Sequence, residues 1–295
     1  MSATTLSAPT AEALAREHPE FRGWLGLLAA VRDEAAAPAW VEAVPDPLPD
    51  TAIGAPLLAG AALTIEPGVA AAWLRRLFDA AAAAAPVLAG AADRFDVLAA
   101  MQAAVSLDVA RMDAVADAAD LPRPPVAAVL PLAAYPWLQQ CAALVGGHVA
   151  AEHTAAWCPI CAAWATLAEA RGLEGARRLR CGRCGGDWRA QWLRCPFCGT
   201  DEHARLRGLV GAEPGESRRA DGCAVCGAWV KTIATLGPSD VDALRLLDLA
   251  TVDFDVAALE RGWKRPAGLG APLGVRVVAR DPTSATRRRR RWWSG

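Results

Sequence analysis

The chain has 295 residues, of which 54% are hydrophobic and 21% are charged, and its formal net charge is −1. That length can bury a sizeable core and predicts two or three domains. Residues 1–155 carry 17 acidic and 8 basic side chains, whereas residues 156–295 carry 15 acidic and 23 basic ones. The strongly acidic first half argues against nucleic acid as the partner of the whole chain.

Residues 11–152 are rich in Ala, Leu, Arg and Glu, and proline or glycine clusters divide them, which predicts a helical domain. Thr10 is the expected cap of a first helix, and Pro67 is expected in the first turn of another. Apolar residues at helical spacing predict the core faces. These stripes contain Phe21, Trp24, Leu25 and Leu28; Val69, Trp73, Leu74, Leu77 and Phe78; and Val97, Met101 and Val105.

Residues 124–151 contain no Asp, Glu, Lys or Arg and are long enough to span a bilayer. The prolines at 131 and 136 and the low apolar density favour a core helix or helix pair instead. The first residues have neither the basic nor the apolar part of a secretory signal, so we expect a cytoplasmic protein. Cys141, within this apolar segment, is expected to be a small buried side chain rather than a metal ligand.

Four Cys-x-x-Cys pairs follow within 69 residues, and each pair can supply half of a tetrahedral metal site. The pairs are Cys158/Cys161, Cys181/Cys184, Cys195/Cys198 and Cys223/Cys226. Both successive spacings, Cys-x2-Cys-x19-Cys-x2-Cys and Cys-x2-Cys-x24-Cys-x2-Cys, suit ribbon-type centres with four thiolate ligands. Sequential pairing closes short loops and is therefore predicted, although an interleaved arrangement of first with third and second with fourth is the alternative.

Each pair is expected to form a tight turn around its sulfurs. Three pairs are followed by Gly185, Gly199 or Gly227, and glycine takes the positive φ that such a turn needs. The first pair is followed by Ala162, so its turn is expected to be less relaxed. Trp157, Trp164, Trp188 and Trp229 are expected to pack on these turns and shield the sulfurs, with base stacking as the rival role.

The favoured role of the cysteines is structural, because four-cysteine sites leave no coordination position for a substrate. A thioredoxin-like dithiol, activated by Arg180, Arg183 or Arg194, is an alternative that four pairs make unattractive. Disulfides are disfavoured further, since short paired spacings favour metal. The helical part offers no paired carboxylates, no Ser/His/Asp set and no phosphate-binding loop, and we therefore expect no catalysis.

Beyond Lys231, a last helix is predicted over residues 256–261, ended by Gly262. Asp248, Asp253 and Asp255 are expected to lie on a solvated face or an interface. Residues 266–295 are predicted to form a flexible tail that contains the arginine run Arg287 to Arg291, followed by Trp292 and Trp293. Three domains are predicted before this tail: a helical domain at 1–155, a first four-cysteine module at 156–194, and a second four-cysteine module with the closing helix at 195–265.

The order of these motifs resembles the formate dehydrogenase accessory protein family, often called FdhE. The resemblance covers roughly residues 157–265: the Cys-Pro-x-Cys of Cys158 and Cys161, the arginine-flanked Cys181 and Cys184, Cys195-Pro-Phe-Cys-Gly199, the Arg219 to Lys231 stretch, Asp248–Thr251 and Gly262-Trp263. The chain departs from the family pattern at Leu247, where a second Asp is usual, and at Ala162, where Gly is usual.

The resemblance implies an α-helical first domain followed by two rubredoxin-like or zinc-ribbon modules, each with one iron or zinc ion. It also implies a cytoplasmic protein that binds the catalytic subunit of a formate dehydrogenase during its maturation, without catalysis of its own. Two other classes stay open from the residues: a zinc-ribbon protein that binds nucleic acid, and a rubredoxin-like electron carrier. Neither the metal nor the oligomeric state follows from the sequence.

Overall fold

The computed structural model describes residues 8–45, 54–211 and 217–280. Its first part is helical, as predicted. The helices are α1 (Ala11–Glu17), α2 (Arg22–Ala35), α3 (Pro38–Glu42), α4 (Pro67–Ala82), α5 (Val97–Ser106), α6 (Val109–Ala118), α7 (Arg123–Val129) and α8 (Tyr135–Val145). Short 3-10 turns connect them at Pro19–Phe21, Pro86–Leu88, Ala91–Arg94, Leu130–Ala134 and Gly146–His148.

The predicted helix starts are confirmed. The Thr10 hydroxyl accepts a hydrogen bond from the Ala13 N–H at 3.2 Å, and Pro67 opens α4. The α4 stripe is buried at Trp73, Leu74, Leu77 and Phe78. Trp24 is 38% exposed, because α2 turns Leu25 and Leu28 toward the core instead, and Phe21, Val69 and Val97 are only partly buried. The helical prediction is therefore correct, but the predicted core faces are wider than the observed ones.

The apolar segment Arg123–His148 is a core element. By length and composition it is the one helical segment among the described residues that could cross a membrane. It is broken by the Leu130–Ala134 turn, and Trp137, Leu138 and Cys141 are fully buried. The Trp137 indole N–H donates to the Ala43 carbonyl at 3.2 Å. These contacts confirm the core interpretation and the burial of Cys141.

The cysteine-rich part forms one six-stranded sheet in the order β4-β3-β2-β7-β6-β5. Its strands are β2 (Leu167–Arg171), β3 (Ala176–Arg180), β4 (Asp187–Arg189), β5 (Leu206–Val210), β6 (Arg218–Cys223) and β7 (Trp229–Thr235), with a 3-10 turn at His203–Arg205. Each module contributes three antiparallel strands. The first strand of the first module pairs in parallel with the last strand of the second, with Leu167 opposite Lys231. The two predicted modules thus share one sheet, as tandem repeats of a single unit.

Two helices cover one face of this sheet: α9 (Val241–Leu249) and α10 (Val252–Glu260). The closing helix was predicted to begin at residue 256, but it begins four residues earlier. The reason is that Phe254 and Ala258 pack together on Ala220 and Trp229, which places a whole helical face on the sheet. The predicted stop is confirmed, since Gly262 has a φ of +76°.

The prediction of a flexible tail over residues 266–295 is wrong for residues 266–280. Strand β8 (Arg276–Ala279) pairs in parallel with β1 (Ala62–Ile65) in the helical domain. The Gln102 side chain donates to the Val275 carbonyl and accepts from the Val277 N–H. This segment therefore returns from the cysteine-rich part to the helical core. The arginine run 287–291 lies outside the described residues.

Candidate metal centres

The four Cys-x-x-Cys turns have the same backbone hydrogen bonds. In each, the first cysteine accepts at its carbonyl from the N–H four residues later, at 2.8–2.9 Å, and its own N–H donates to the carbonyl five residues later, at 2.7–3.0 Å. The donors of the first set of bonds are Ala162, Gly185, Gly199 and Gly227, and the acceptors of the second set are Ala163, Gly186, Thr200 and Ala228. The same turn thus occurs four times, and each copy holds its two sulfurs on one side of the loop.

The residue after each second cysteine has a left-handed backbone. Gly185, Gly199 and Gly227 have φ angles of +83°, +78° and +72°, and Ala162 has +61°. The expectation of a less relaxed first turn is met, since a side chain in this region clashes with its own backbone.

Replacing Ala162 by glycine is expected to raise the free energy of unfolding by about 1 kcal/mol, because glycine has no Cβ to strain at positive φ. Chemical denaturation followed by circular dichroism measures the change. Gly227→Ala is the matched control: a Cβ there meets no atom within 4 Å, so it adds only backbone strain and should lower stability by a similar amount. An unchanged or lower stability of Ala162→Gly contradicts the strain.

The structure groups the eight cysteines sequentially, as predicted. Cys158, Cys161, Cys181 and Cys184 form one cluster, and Cys195, Cys198, Cys223 and Cys226 form the other, with all sulfurs of a cluster within 4.8 Å of one another. The sulfurs of facing turns lie 3.5–3.6 Å apart in the first cluster and 3.7 Å apart in the second. A tetrahedron of thiolates around zinc has edges of about 3.8 Å. Either cluster can therefore accept a metal ion with little movement.

Proton equilibria in the first cluster favour a cation. Hydrogen bonds from the three neighbouring thiols lower the pKa of Cys181 well below its ordinary value. Burial raises the pKa of Cys158, and hydrogen bonds with the neighbouring thiols raise that of Cys184, both well above the ordinary value. Without a cation a thiolate thus forms readily at Cys181, whereas Cys158 and Cys184 resist deprotonation, and a divalent ion is what makes their thiolates favourable.

The two clusters differ in burial. The first is part of the main hydrophobic core, together with residues of the helical domain such as Leu58 and Trp137. Backbone bonds also join them: Leu57 and Leu58 donate to the Pro159 and Ile160 carbonyls at 2.8 and 3.2 Å. In the second cluster, Cys198 and Cys226 are exposed. The first centre is therefore integral to the fold, whereas the second lies at the surface.

Of the four tryptophans expected to shield the sulfurs, Trp188 lies in the core cluster with the first four cysteines, whereas Trp229 packs with Ala220, Phe254 and Ala258. Trp188 and Trp229 are buried in the sheet, and the Trp188 indole donates to the Ala155 carbonyl at 2.8 Å. Trp157 and Trp164 pair across a β-bridge beside the first turn, and Gly270 packs against them so closely that a Cβ would lie 2.3 Å from that of Trp157. Trp188 and Trp229 are therefore not free to stack on bases.

Two buried ion-pair groups were not foreseen as such from the sequence. Glu169 is completely buried between Arg180 and Arg171 and also accepts from the Ser239 N–H. Lys231 is buried as well. Glu169 is paired with Arg171 on its own strand and with Arg180 on the neighbouring strand β3, whereas the partners of Lys231 are carboxylates of α9 and α10. A charged residue inside an otherwise apolar strand is the one sequence signal for either group.

The three aspartates predicted to lie on a solvated face or an interface do not share one environment. Asp248 and Asp255 hold the buried Lys231 ammonium, at 2.7 and 2.5 Å, whereas Asp253 is exposed. The expectation of a solvated face or an interface holds for the exposed Asp253. Asp248 and Asp255 stay partly exposed, at 38% and 26%, and their pairing with Lys231 anchors α9 and α10 to β7.

Fold and clusters together define a class of protein: a helical domain that carries a tandem pair of four-cysteine ribbon modules on one sheet. Within that class, the chain has the fold of the FdhE protein from Pseudomonas aeruginosa, with a TM-score of 0.53, 22% identity and coverage of 88% of this chain and 92% of that one. The resemblance seen in the sequence is thus confirmed at the level of the fold.

Curated relatives carry the same name over a shorter stretch. The chain is 30% identical over 113 residues to a protein FdhE homolog of Stutzerimonas stutzeri, and 29% identical over 111 residues to one of Edwardsiella ictaluri. Each match covers 37% of this chain, and it spans only about a third of the relative, 36% and 35%. No protein-family model matches the chain.

Proposed function

We propose that the protein is a cytoplasmic accessory factor that binds the catalytic subunit of a formate dehydrogenase and supports its maturation, without turning over a substrate itself. The observation that carries the proposal is the pair of four-cysteine clusters on a helical domain with the FdhE fold. Four protein ligands close a metal site, so such clusters shape a surface rather than activate a substrate.

Each cluster is proposed to hold one iron or zinc ion. The ligands are Cys158, Cys161, Cys181 and Cys184 in the first centre and Cys195, Cys198, Cys223 and Cys226 in the second. A tetrahedron of thiolates accepts either metal. Elemental analysis together with a visible spectrum of protein purified without added metal decides between them, and metal-free protein that is fully folded contradicts the proposal.

The function is tested by capture and by deletion. Tagged protein is expected to retain the formate dehydrogenase catalytic subunit, and a strain that lacks the gene is expected to make the subunit but to have little formate dehydrogenase activity. Absence of capture together with normal activity in the deletion strain contradicts the proposal. Capture of mature and immature subunit to the same extent contradicts the role in maturation.

A second candidate is electron transfer by rubredoxin-like iron. The exposure of Cys198 and Cys226 favours it, because a surface centre can exchange electrons with a partner. This function requires a coloured protein whose visible spectrum changes reversibly on reduction. A colourless zinc protein excludes it.

A further inference from the structure

The sheet ends in an open edge beside the second centre. Strand β5 has β6 as its neighbour and lies at the end of the strand order. The Arg205 carbonyl accepts from the Ala224 N–H at 2.8 Å, and paired and unpaired residues alternate along an antiparallel ladder. The peptide groups of Leu206, Gly208 and Val210 therefore point away from β6. The Leu206 carbonyl accepts from the Arg207 guanidinium at 3.1 Å, whereas the outward peptide groups of Gly208 and Val210 have no partner among the described residues. Unpaired donors and acceptors of this kind at a sheet edge are a template for a further strand.

A groove of about 320 Å³ lies beside this edge, over the sheet face that carries Val210, Arg219 and Asp221, and the linker that joins the two modules bounds it. Its apolar walls are unusually exposed: Leu193 is 60% and Val210 77% accessible. Trp192 and Phe197 of the linker also line it. Side chains of an extended segment paired to β5 can be buried there.

Arginines dominate the charge of the groove. Arg177, Arg194, Arg207 and Arg219 line it, and Asp221 is the one carboxylate among the described residues that do so. The guanidinium groups of Arg177 and Arg219 lie over the Trp192 ring, 5.1 and 4.6 Å from its centroid, which holds them in place. The surface is therefore built for a negatively charged group.

Among the groove arginines, Arg177 gives the clearest indication of an anionic ligand. Its side chain is 4% exposed, it donates to Asp221 at 3.0 Å, and its buried Nε–H has no acceptor among the described residues. Burial lowers its pKa, the Asp221 carboxylate raises it, and the neighbouring Arg219 lowers it further. One carboxylate thus serves two arginines, and a second carboxylate would be favourable here.

We propose that this groove binds an extended, acidic segment of a protein partner, which adds a strand to β5 and places a carboxylate among the groove arginines. Main-chain pairing supplies affinity in this mode of recognition, and side-chain pockets supply selectivity. The identity of the partner, the formate dehydrogenase catalytic subunit, rests on the proposed function; the groove and the chemistry of its ligand do not.

The probe is a short synthetic peptide in which glutamate alternates with threonine, titrated into the full-length protein by fluorescence anisotropy. We expect binding that weakens as salt is added. The same peptide with lysine in place of glutamate, and a version with alternate backbone amides methylated, should not bind. Equal binding of the methylated peptide contradicts strand addition, and equal binding of the lysine peptide contradicts the charge selection.

Arg207→Glu tests the groove itself. The Arg207 side chain is exposed and donates to the Ala204 carbonyl and to the Leu206 carbonyl at the free edge of β5, so its replacement should leave the fold intact. We expect it to weaken peptide binding about tenfold or more through like-charge repulsion. The matched control is Arg261→Glu, an exposed arginine that also donates to a nearby carbonyl but lies outside the groove, and it should have no effect. Equal effects of the two variants, or tighter binding of single-stranded RNA than of the peptide, overturn the proposal.

Peptide binding and subunit capture together distinguish failure of the groove proposal from failure of the proposed function. Peptide binding that Arg207→Glu weakens, without capture of the formate dehydrogenase subunit, supports the groove and contradicts the function. Capture of the subunit that Arg207→Glu leaves unchanged, with no peptide binding, supports the function and contradicts the groove.

Discussion

Replacing Cys184 by serine is expected to unfold the protein as a whole, whereas the equivalent Cys226→Ser is expected to disturb only the second module. Each is the last cysteine of its cluster. Cys184 is buried in the main core shared with the helical domain, while Cys226 is exposed. A four-thiolate metal contributes on the order of 10 kcal/mol, which is comparable with the whole stability of a domain. Loss of the buried centre therefore removes the support of both halves.

Circular dichroism and metal content distinguish the two variants. Cys226→Ser should keep most of the helical signal, its cooperative thermal transition and one of the two metal ions. Cys184→Ser should lose the cooperative transition. Equal falls in melting temperature, or loss of both metal ions from Cys226→Ser, would refute the difference between the two centres.

The cysteine clusters are predictable from sequence because their geometry is local. A Cys-x-x-Cys turn sets the positions of its own sulfurs, and the short loops between consecutive pairs favour sequential grouping. For the same reason the caps at Thr10 and Pro67 and the α4 stripe are correct, since each depends on residues within one or two helical turns.

Long-range pairing is what the sequence does not reveal. The parallel pairing of β2 with β7 joins residues 64 apart, as at Leu167 and Lys231, and it fuses two predicted modules into one sheet. Strand β8 adds to β1 across more than 200 residues, as between Ala62 and Arg276, so a segment that was predicted to be a tail is part of the fold. The different burial of the two clusters is also a long-range effect, because residues of the helical domain such as Leu57 and Leu58 contact the first cysteine turn.

Glu169→Gln is the second substitution with a large expected effect. The Glu169 side chain is 0% exposed and accepts from the Arg180 guanidinium at 2.7 Å and from the Ser239 N–H at 3.0 Å. Removing one partner of a buried ion pair leaves the other charge uncompensated, and this costs about 3–5 kcal/mol. Denaturant unfolding at neutral pH is expected to show a loss of that size.

The matched control is Glu34→Gln. Glu34 is also a buried carboxylate, but its partner Arg76 is 56% exposed, and a glutamine can still accept from the Trp40 indole. Water can therefore solvate the arginine that is left, so we expect a loss of about 1 kcal/mol or less. Losses of equal size in the two variants contradict the assignment of the Glu169 effect to the buried arginine.

The pH dependence of the Glu169→Gln difference supplies an independent measurement. Burial alone would raise the pKa of Glu169, but the Arg180 charge and the hydrogen bonds from Ser239, Arg171 and Arg180 hold it below its ordinary value. A carboxyl with a lowered folded-state pKa stabilises the fold above its unfolded pKa of about 4.3, and this contribution is lost as the pH falls through the folded value. The difference in unfolding free energy between the wild type and Glu169→Gln should therefore be full near pH 7 and shrink below about pH 4. If this difference in unfolding free energy stays constant at acidic pH, the substitution acts through packing and not through loss of the ion pair.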